Sequence, residues 1–317
     1  MKKTSILFTV SLSLLLIFAV SMGFYLSNAL THAEEKTYGE LAEKLIQDLN
    51  SEEHLIENIG ITNAIYIADN ARIAKALIEN NRAIAIKELQ VIFNNFKKST
   101  KIKNLKVHIH TADLKSFVRS WKLDKFGDDL SGFRKTIVKV KETRQPVFDF
   151  EVGRMGLTLR SIVPVIQGDD YLGSLEFIQN FDNVAKQFAK KSNDHLLLMN
   201  DSLIFIATDL KDAPSVDHYK LGSKQYDDDF LKAAQSLDLD KLQQKRFIFT
   251  DQYLYTYKTI KDVNDNNVGM HLMGMSGQQV QAAVDEAKSS TLTMIIVTVS
   301  SLLLLLLLMF FFFKSRC

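Results

Sequence analysis

The chain has 317 residues, 46% hydrophobic and 24% charged, with 39 Lys and Arg set against 37 Asp and Glu. That balance excludes a polybasic nucleic-acid binder. The single cysteine, Cys317, excludes an intrachain disulfide framework, so any folded part must rely on a hydrophobic core.

Residues Thr4 to Leu30 contain no charged side chain, and neither do Ser289 to Phe313. About 20 apolar residues cross a bilayer as a helix, so each run is long enough to span. Lys2 and Lys3 precede the first run, and Lys314 and Arg316 follow the second. Positive flanks stay inside, so both termini are expected in the cytoplasm and residues 34–288 across the membrane. Setting those four cations aside leaves 35 Lys and Arg against 37 Asp and Glu, so the outer part carries a charge near −2. The rival reading of the first run is a cleaved signal peptide, with Thr31-His32-Ala33 as a loose cleavage site. The run exceeds the roughly 7–15 residues of a signal core, which favours a retained anchor. Cys317 beside the membrane leaves lipidation open as the alternative to an unmodified end.

Residues 34–98 read as helix. Leu41, Leu45, Leu49, Ile56 and Ile59 recur at helical steps, as do Leu89, Ile92, Phe93 and Phe96. One unbroken helix of that length would run to roughly 100 Å. A break is expected at Gly60 or at Asp69-Asn70, with a second helix from Ala71 to Lys98.

The period then changes to two. Leu105, Val107 and Ile109 alternate with Lys106, His108 and His110. Asp128 to Thr143 has helical spacing. Phe148, Phe150 and Val152 lead through the turn Gly153-Arg154-Met155-Gly156 into a strand over Leu157 to Val165. Gly168-Asp169-Asp170 turns again into Leu172 to Gln179. Helix is expected over Asn183 to Lys191. The order then repeats: a hairpin of Leu196 to Met199 with Leu203 to Ala207 around Asn200-Asp201, then Phe247 to Thr250, Tyr253 to Ile260 and Val268 to Met275. Gly173 and Gly269 align at an offset of 96 residues, which places Asp169 on Asp265 and Leu172 on Val268. Two modules of about 80–100 residues fit this pattern, with a single irregular sheet as the alternative.

The segments Leu105 to Thr111, Arg119-Ser120-Trp121, Leu159 to Val165 and Tyr171 to Phe177, between two spans, resemble the double Cache sensor domain of bacterial chemoreceptors and sensor kinases. The resemblance implies an α+β fold: a long N-terminal helix and two tandem PAS-like antiparallel-sheet modules, flanked by two transmembrane helices. The corresponding division is 1–33 (cytoplasmic start and first span), 34–98 (helical stalk), 99–192 (membrane-distal module with its connecting helix), 193–288 (membrane-proximal module) and 289–317 (second span and short tail). It implies ligand capture in the distal module, about 99–182, and relay by the proximal module, about 193–276. Relatives of this kind continue into cytoplasmic signalling helices, whereas this sequence stops after Lys314-Ser315-Arg316-Cys317. An input fragment and a protein that signals through a partner are both open.

Six residues are candidate ligand contacts. Arg119 and Trp121 resemble the pair that grips the carboxylate in amino-acid-binding members, since arginine offers a planar fork and indole a donor and an apolar wall. Lys122 and Ile178 depart from that pattern, which puts recognition of an α-amino group in doubt but not recognition of an anion. His108 and His110 share one strand face. They could touch a ligand, pair structurally or bind zinc. Zinc needs a third and fourth ligand, none lies nearby in sequence, and so no metal is expected. Arg160 and Glu176 either pair across the sheet or face the cavity. The stripe Tyr253, Tyr255 and Tyr257 reads as packing rather than a second pocket.

No nucleophile elbow, P-loop, dinucleotide fingerprint or zincin motif occurs, so neither catalysis nor a cofactor is expected. The expectation is a two-pass plasma-membrane (inner-membrane) sensor with a periplasmic or extracellular domain. It would bind a small carboxylate or similar anion, form a homodimer and signal through a membrane or cytoplasmic partner, as in chemotaxis or two-component signalling. The alternative is an extracytoplasmic protein-binding scaffold.

Overall fold

The structure, a computed structural model, describes residues 2–99, 105–179 and 181–314; Arg316, Cys317 and the side chains of Lys2, Lys3 and Lys314 lie outside what it describes. Helix α1 runs Lys2–Ala68 without interruption, and Asn70 caps α2 (Ala71–Ile78) by accepting a bond from the Arg72 amide. The expected break therefore falls at Asp69-Asn70. Gly60 serves another purpose: a Cβ there would come within 2.0 Å of Ser161 Oγ, so glycine lets the sheet press against the helix. The second stalk helix is itself divided. Asn80 takes a left-handed φ of 49°, and α3 begins afresh at Arg82–Ser99.

Two antiparallel sheets follow, with the following strands: β1 (Lys106–Thr111), β2 (Ser116–Arg119), β3 (Val147–Gly153), β4 (Gly156–Gln167) and β5 (Asp170–Gln179) in the first, ordered β2-β1-β5-β4-β3. The second holds β6 (Asn193–Asn200), β7 (Ser215–Val216), β8 (Tyr219–Leu221), β9 (Phe247–Phe249), β10 (Tyr253–Lys261) and β11 (Asn267–Ser276), ordered β7-β8-β6-β11-β10-β9. Helices α4 (Lys135–Thr143), α5 (Asp182–Lys190), α6 (Asp228–Ala234) and α7 (Leu239–Lys245) connect them, and β11 runs directly into α8 (Gly277–Lys314). This is the expected α+β fold, a long N-terminal helix followed by two sheets in tandem.

Two local expectations fail. Leu203 to Ala207 is not a strand. The Asn200 side chain accepts from the Ser202 amide and starts a short 3₁₀ turn, Phe205 is 74% exposed, and the antiparallel partner of β6 is β8. Helix begins only at Lys135 rather than near Asp128, because Asp129 bonds the amide and hydroxyl of Ser131 and bridges Lys115.

By density of contacts the chain divides into two units. One comprises residues 1–44, 247–255 and 275–317. There Glu34 pairs with Lys288 at 2.5 Å and accepts from Tyr38, whose ring stacks on Phe249 at 4.8 Å. Leu16–Ala68 and Gly277–Met309 each contain a stretch long and apolar enough to cross a membrane.

The other unit comprises residues 45–246 and 256–274. Its main core lies where Ala64, Ile67, Ile73, Leu89 and Ile92 meet the side of the first sheet carrying Val107, Ile109, Val163, Leu175 and Phe177. Leu45 and Leu49 are fully buried within the chain, whereas Ile59 of the same stripe is 38% exposed. The opposite side of the first sheet meets Leu114, Leu130, Ile137 and Val140 from α4 and the segment before it.

Candidate functional site

Residues directly opposed across antiparallel strands share a sheet face. His108 stands opposite both Arg119 and Glu176, Glu176 opposite Ile162, and Arg160 opposite Asp149 and Ile178. The alternation that sends Val107, Ile109, Leu175 and Phe177 into the main core therefore sends His108, His110, Arg119, Arg160 and Glu176 to the other side. Segment 112–134 and α4 cover that side. Charged side chains at this depth must be paired or hydrogen-bonded to persist.

They are paired around two carboxylates. Glu176 is 0% exposed, and its Oε1 accepts from Arg134 Nη2 at 2.8 Å and from Arg160 Nη1. Glu151 Oε2 accepts from Arg134 Nε at 2.5 Å and from the Thr136 hydroxyl at 3.0 Å, with Arg160 Nε 3.4 Å away. The other oxygen, Glu176 Oε2, faces His108 Nδ1 and His110 Nε2, each at 3.4 Å. The second nitrogen of each ring is held by a serine: His108 Nε2 lies 2.8 Å from Ser116 Oγ, and His110 Nδ1 lies 2.9 Å from Ser174 Oγ. Gly173 makes the latter contact reachable. A Cβ there would meet the His110 carbonyl oxygen at 2.0 Å, so only glycine lets β5 run this close to β1.

Burial alone would raise the Glu176 carboxyl, but Arg134 and Arg160 outweigh it and hold the group well below the usual carboxylate range. Burial, and then the neighbouring His110, pushes His108 well below its ordinary value. Burial also lowers His110, against the opposing pull of Glu176. Both imidazoles are therefore neutral near pH 7, beside an ionised carboxylate.

Of the six sequence candidates, four converge here: His108, His110, Arg160 and Glu176. The other two stand at the rim. The Arg119 guanidinium binds both oxygens of Asp128 at 2.7 Å and the Lys125 carbonyl at 2.9 Å. That fork holds the Asp128 carboxyl below its ordinary range. Trp121 presents its edge to the His108 ring, centroids 5.7 Å apart, and remains 39% exposed rather than deeply buried. Tyr255 is buried and Tyr253 and Tyr257 half-buried, in keeping with a packing role. Arg134, Glu151, Ser116 and Ser174 were not singled out from sequence. Glu151 gave a faint signal as a charged residue in an alternating strand, whereas Arg134 sat in a stretch whose spacing reads simply as helix.

No curated protein matches the chain. Similar solved structures include the sensor domain of the V. cholerae histidine kinase DctB, at 12% identity, covering 75% of this chain and 98% of that one with a TM-score of 0.43. Another is the ligand-binding domain of the Campylobacter jejuni chemoreceptor Tlp3 in complex with 4-methylisoleucine, at 12% identity, covering 80% of this chain and 94% of that one with a TM-score of 0.47. A family model described as the double sensory domain of two-component sensor kinases matches residues 43–279, most of the chain. The chain belongs to that double Cache family, dCache_3, and residues 43–279 are its sensory domain.

Proposed function

We propose that this is a membrane-anchored sensory input protein that captures a small organic anion at the rim of the covered face of the first sheet. The observation that carries the reading is the Arg119–Asp128 fork. Asp128 is a carboxylate from the covering segment, bound in the bidentate geometry that a ligand carboxylate would use, with its side chain 39% exposed to solvent. A ligand carboxylate exchanging with Asp128 on Arg119 releases the covering segment. Trp121 supplies the apolar wall, and His108, which touches Trp121, carries the change inward to His110, Arg160 and Glu176. Such an exchange shifts a two-state equilibrium because the ligand binds only the form in which Asp128 has let go. The signal then travels through the second sheet along β11 into α8, which is one continuous run of chain. Both termini are cytoplasmic, the sensor lies outside the plasma membrane, and a partner carries the output. A homodimer is consistent with the exposed apolar residues Leu55, Ile59 and Tyr66 on α1.

The test is calorimetric titration of the full chain in nanodiscs against mono- and dicarboxylates and amino acids. Arg119→Ala weakens binding strongly, since each charge-assisted bond contributes about 1.5–3 kcal/mol. Arg119→Lys restores part of it, because an ammonium lacks the planar fork. Asp128→Asn binds more tightly than wild type. Unchanged binding in a folded Arg119→Ala protein refutes the rim site and turns attention to Arg160.

A protein-binding scaffold is the second reading. Leu123, Phe126 and Phe133 on the covering segment are all exposed, which suits a protein surface. Anion titrations that stay silent while Phe126→Ser abolishes association with an extracytoplasmic protein favour it.

A further inference from the structure

We infer that His108, His110 and Glu176 form a binding site for a four-coordinate divalent transition-metal ion, of which zinc is the best fit. The three side chains offer two imidazole nitrogens and one carboxylate oxygen, all within 4.8 Å of one another and all buried. The spacing identifies what they suit. Glu176 Oε2 stands 3.4 Å from His108 Nδ1 and 3.4 Å from His110 Nε2, too far for a well-formed N–H···O bond, which centres near about 2.9 Å. A tetrahedral ion about 2.0–2.1 Å from each ligand atom holds those atoms about 3.3–3.4 Å apart.

His110 Nε2 and Glu176 Oε2 are fully buried and form no hydrogen bond, although both point into the cluster. Buried polar atoms left in this condition are rare and call for a reason. A cation between them supplies one. The surrounding contacts match what metal ligands need. Each histidine has its remote nitrogen fixed by a serine hydroxyl, which sets the ring plane and frees the facing nitrogen's lone pair. Arg134 and Arg160 occupy only Oε1 of Glu176, leaving Oε2 to act as a monodentate ligand.

The charge balance defines the fourth position. Arg134 and Arg160 cancel Glu151 and Glu176, so a dication leaves the cluster with two excess positive charges. The open coordination position therefore favours an anion, such as hydroxide or a carboxylate. The site does not depend on the Arg119 rim, and metal is expected to bind with no organic ligand present.

The experiment uses the full chain in detergent micelles, stripped with chelator and titrated with zinc against a chromophoric competitor. One equivalent binds per chain. His108→Gln and His110→Gln each lower affinity about 100-fold or more, and Ser174→Ala lowers it about 10-fold. His271→Gln, in the second sheet, binds like wild type. Cobalt gives wild-type protein the intense visible absorption of a four-coordinate ion, a readout that needs no variant to fold. Absent stoichiometric binding, a weak six-coordinate cobalt spectrum, or histidine variants that bind as tightly as wild type each overturn the inference. Retained affinity in Arg119→Ala that has lost anion binding separates the two sites.

Discussion

The molecule contains two buried histidine pairs, each beside a glutamate, and they are wired differently. On the first sheet His108 and His110 pack edge to face with centroids 4.1 Å apart but do not bond each other; each spends one nitrogen on a serine and turns the other toward Glu176. On the second sheet His195 Nε2 and His271 Nδ1 bond each other at 2.8 Å, and His271 Nε2 faces Glu53 of α1 at 3.3 Å. Phe150 and Phe181 crowd the His271 ring, at 5.5 and 5.0 Å between centroids. The second pair forms a chain running from Glu53 through His271 to His195. It cannot aim two lone pairs at one point, because in the mutual bond the accepting ring must carry its proton on its other nitrogen, which leaves one free lone pair between the two rings. Residue type alone does not separate a ligand set from a structural relay; the partner of the second nitrogen does.

The largest expected contrast is in stability. Glu176→Gln leaves Arg134 and Arg160 with an uncompensated buried charge and costs about 3–5 kcal/mol. Glu53→Gln costs about 1–2 kcal/mol, because Lys258, its other partner, has a side chain 36% exposed and can turn to water. Denaturant melts of the two variants rank them, and equal costs would erase the distinction drawn between the clusters.

An effect of intermediate size comes from the second pair. Burial, and then His271, holds His195 well below the ordinary histidine value, and burial lowers His271 against the pull of Glu53. A histidine whose folded pKa is depressed leaves the unfolded chain binding more protons below about pH 6.5, so stability falls as the medium is acidified. His195→Asn with His271→Asn should therefore lose less melting temperature than wild type between about pH 7 and 5.5. The Glu53 carboxyl, lowered by His271 and Lys258 against burial, acts in the same direction only below the carboxylate range. Parallel pH profiles for wild type and double variant would mean that the second pair is not held neutral.

A further effect of about 1–2 kcal/mol and opposite sign is expected at Asp149, which burial pushes up to about 6. Ionising it costs the fold stability as pH rises from about 4 to 6, so Asp149→Asn stabilises at pH 7 and is neutral at pH 4. Melts at the two pH values check this, and a stabilisation equal at both would point to packing instead. The smallest effect belongs to Asp128→Asn. Asp128 is itself 39% exposed, and Arg119, although only 11% exposed, keeps the Lys125 carbonyl and gains the asparagine oxygen, so stability should fall by about 1 kcal/mol while anion affinity rises. A large loss of stability there would make the fork a structural clamp.

Much of the first sheet was legible from sequence. The alternation around Ile109, the turns at Gly153 to Gly156 and Gly168 to Asp170, and the β-branched residues Ile162, Val163 and Val165 mark three of its strands. That His108 and His110 share a face follows from the period of two. Their third neighbour, Glu176, was legible only as a lone charge in an apolar strand, because register between β1 and β5 is set by pairing across many residues. Arg134 could not be found at all. It is the residue before α4, three positions from buried Ile137, in a segment where no sequence pattern separates an inward arginine from a solvated one. The second sheet was harder, since β8 is three residues long and too short to carry a pattern. Asn200-Asp201 has hairpin chemistry but closes a 3₁₀ turn instead.

The central claim is that the covered face of the first sheet senses and that the second sheet does not bind. Hydrogen–deuterium exchange of the full chain in nanodiscs, with and without the anion found by calorimetry, tests it most directly. The account predicts altered exchange in β1, β5 and residues 112–134, with β6 and its His195 unchanged at the same occupancy. Protection confined to residues 193–274, with residues 112–134 unaffected, would contradict it.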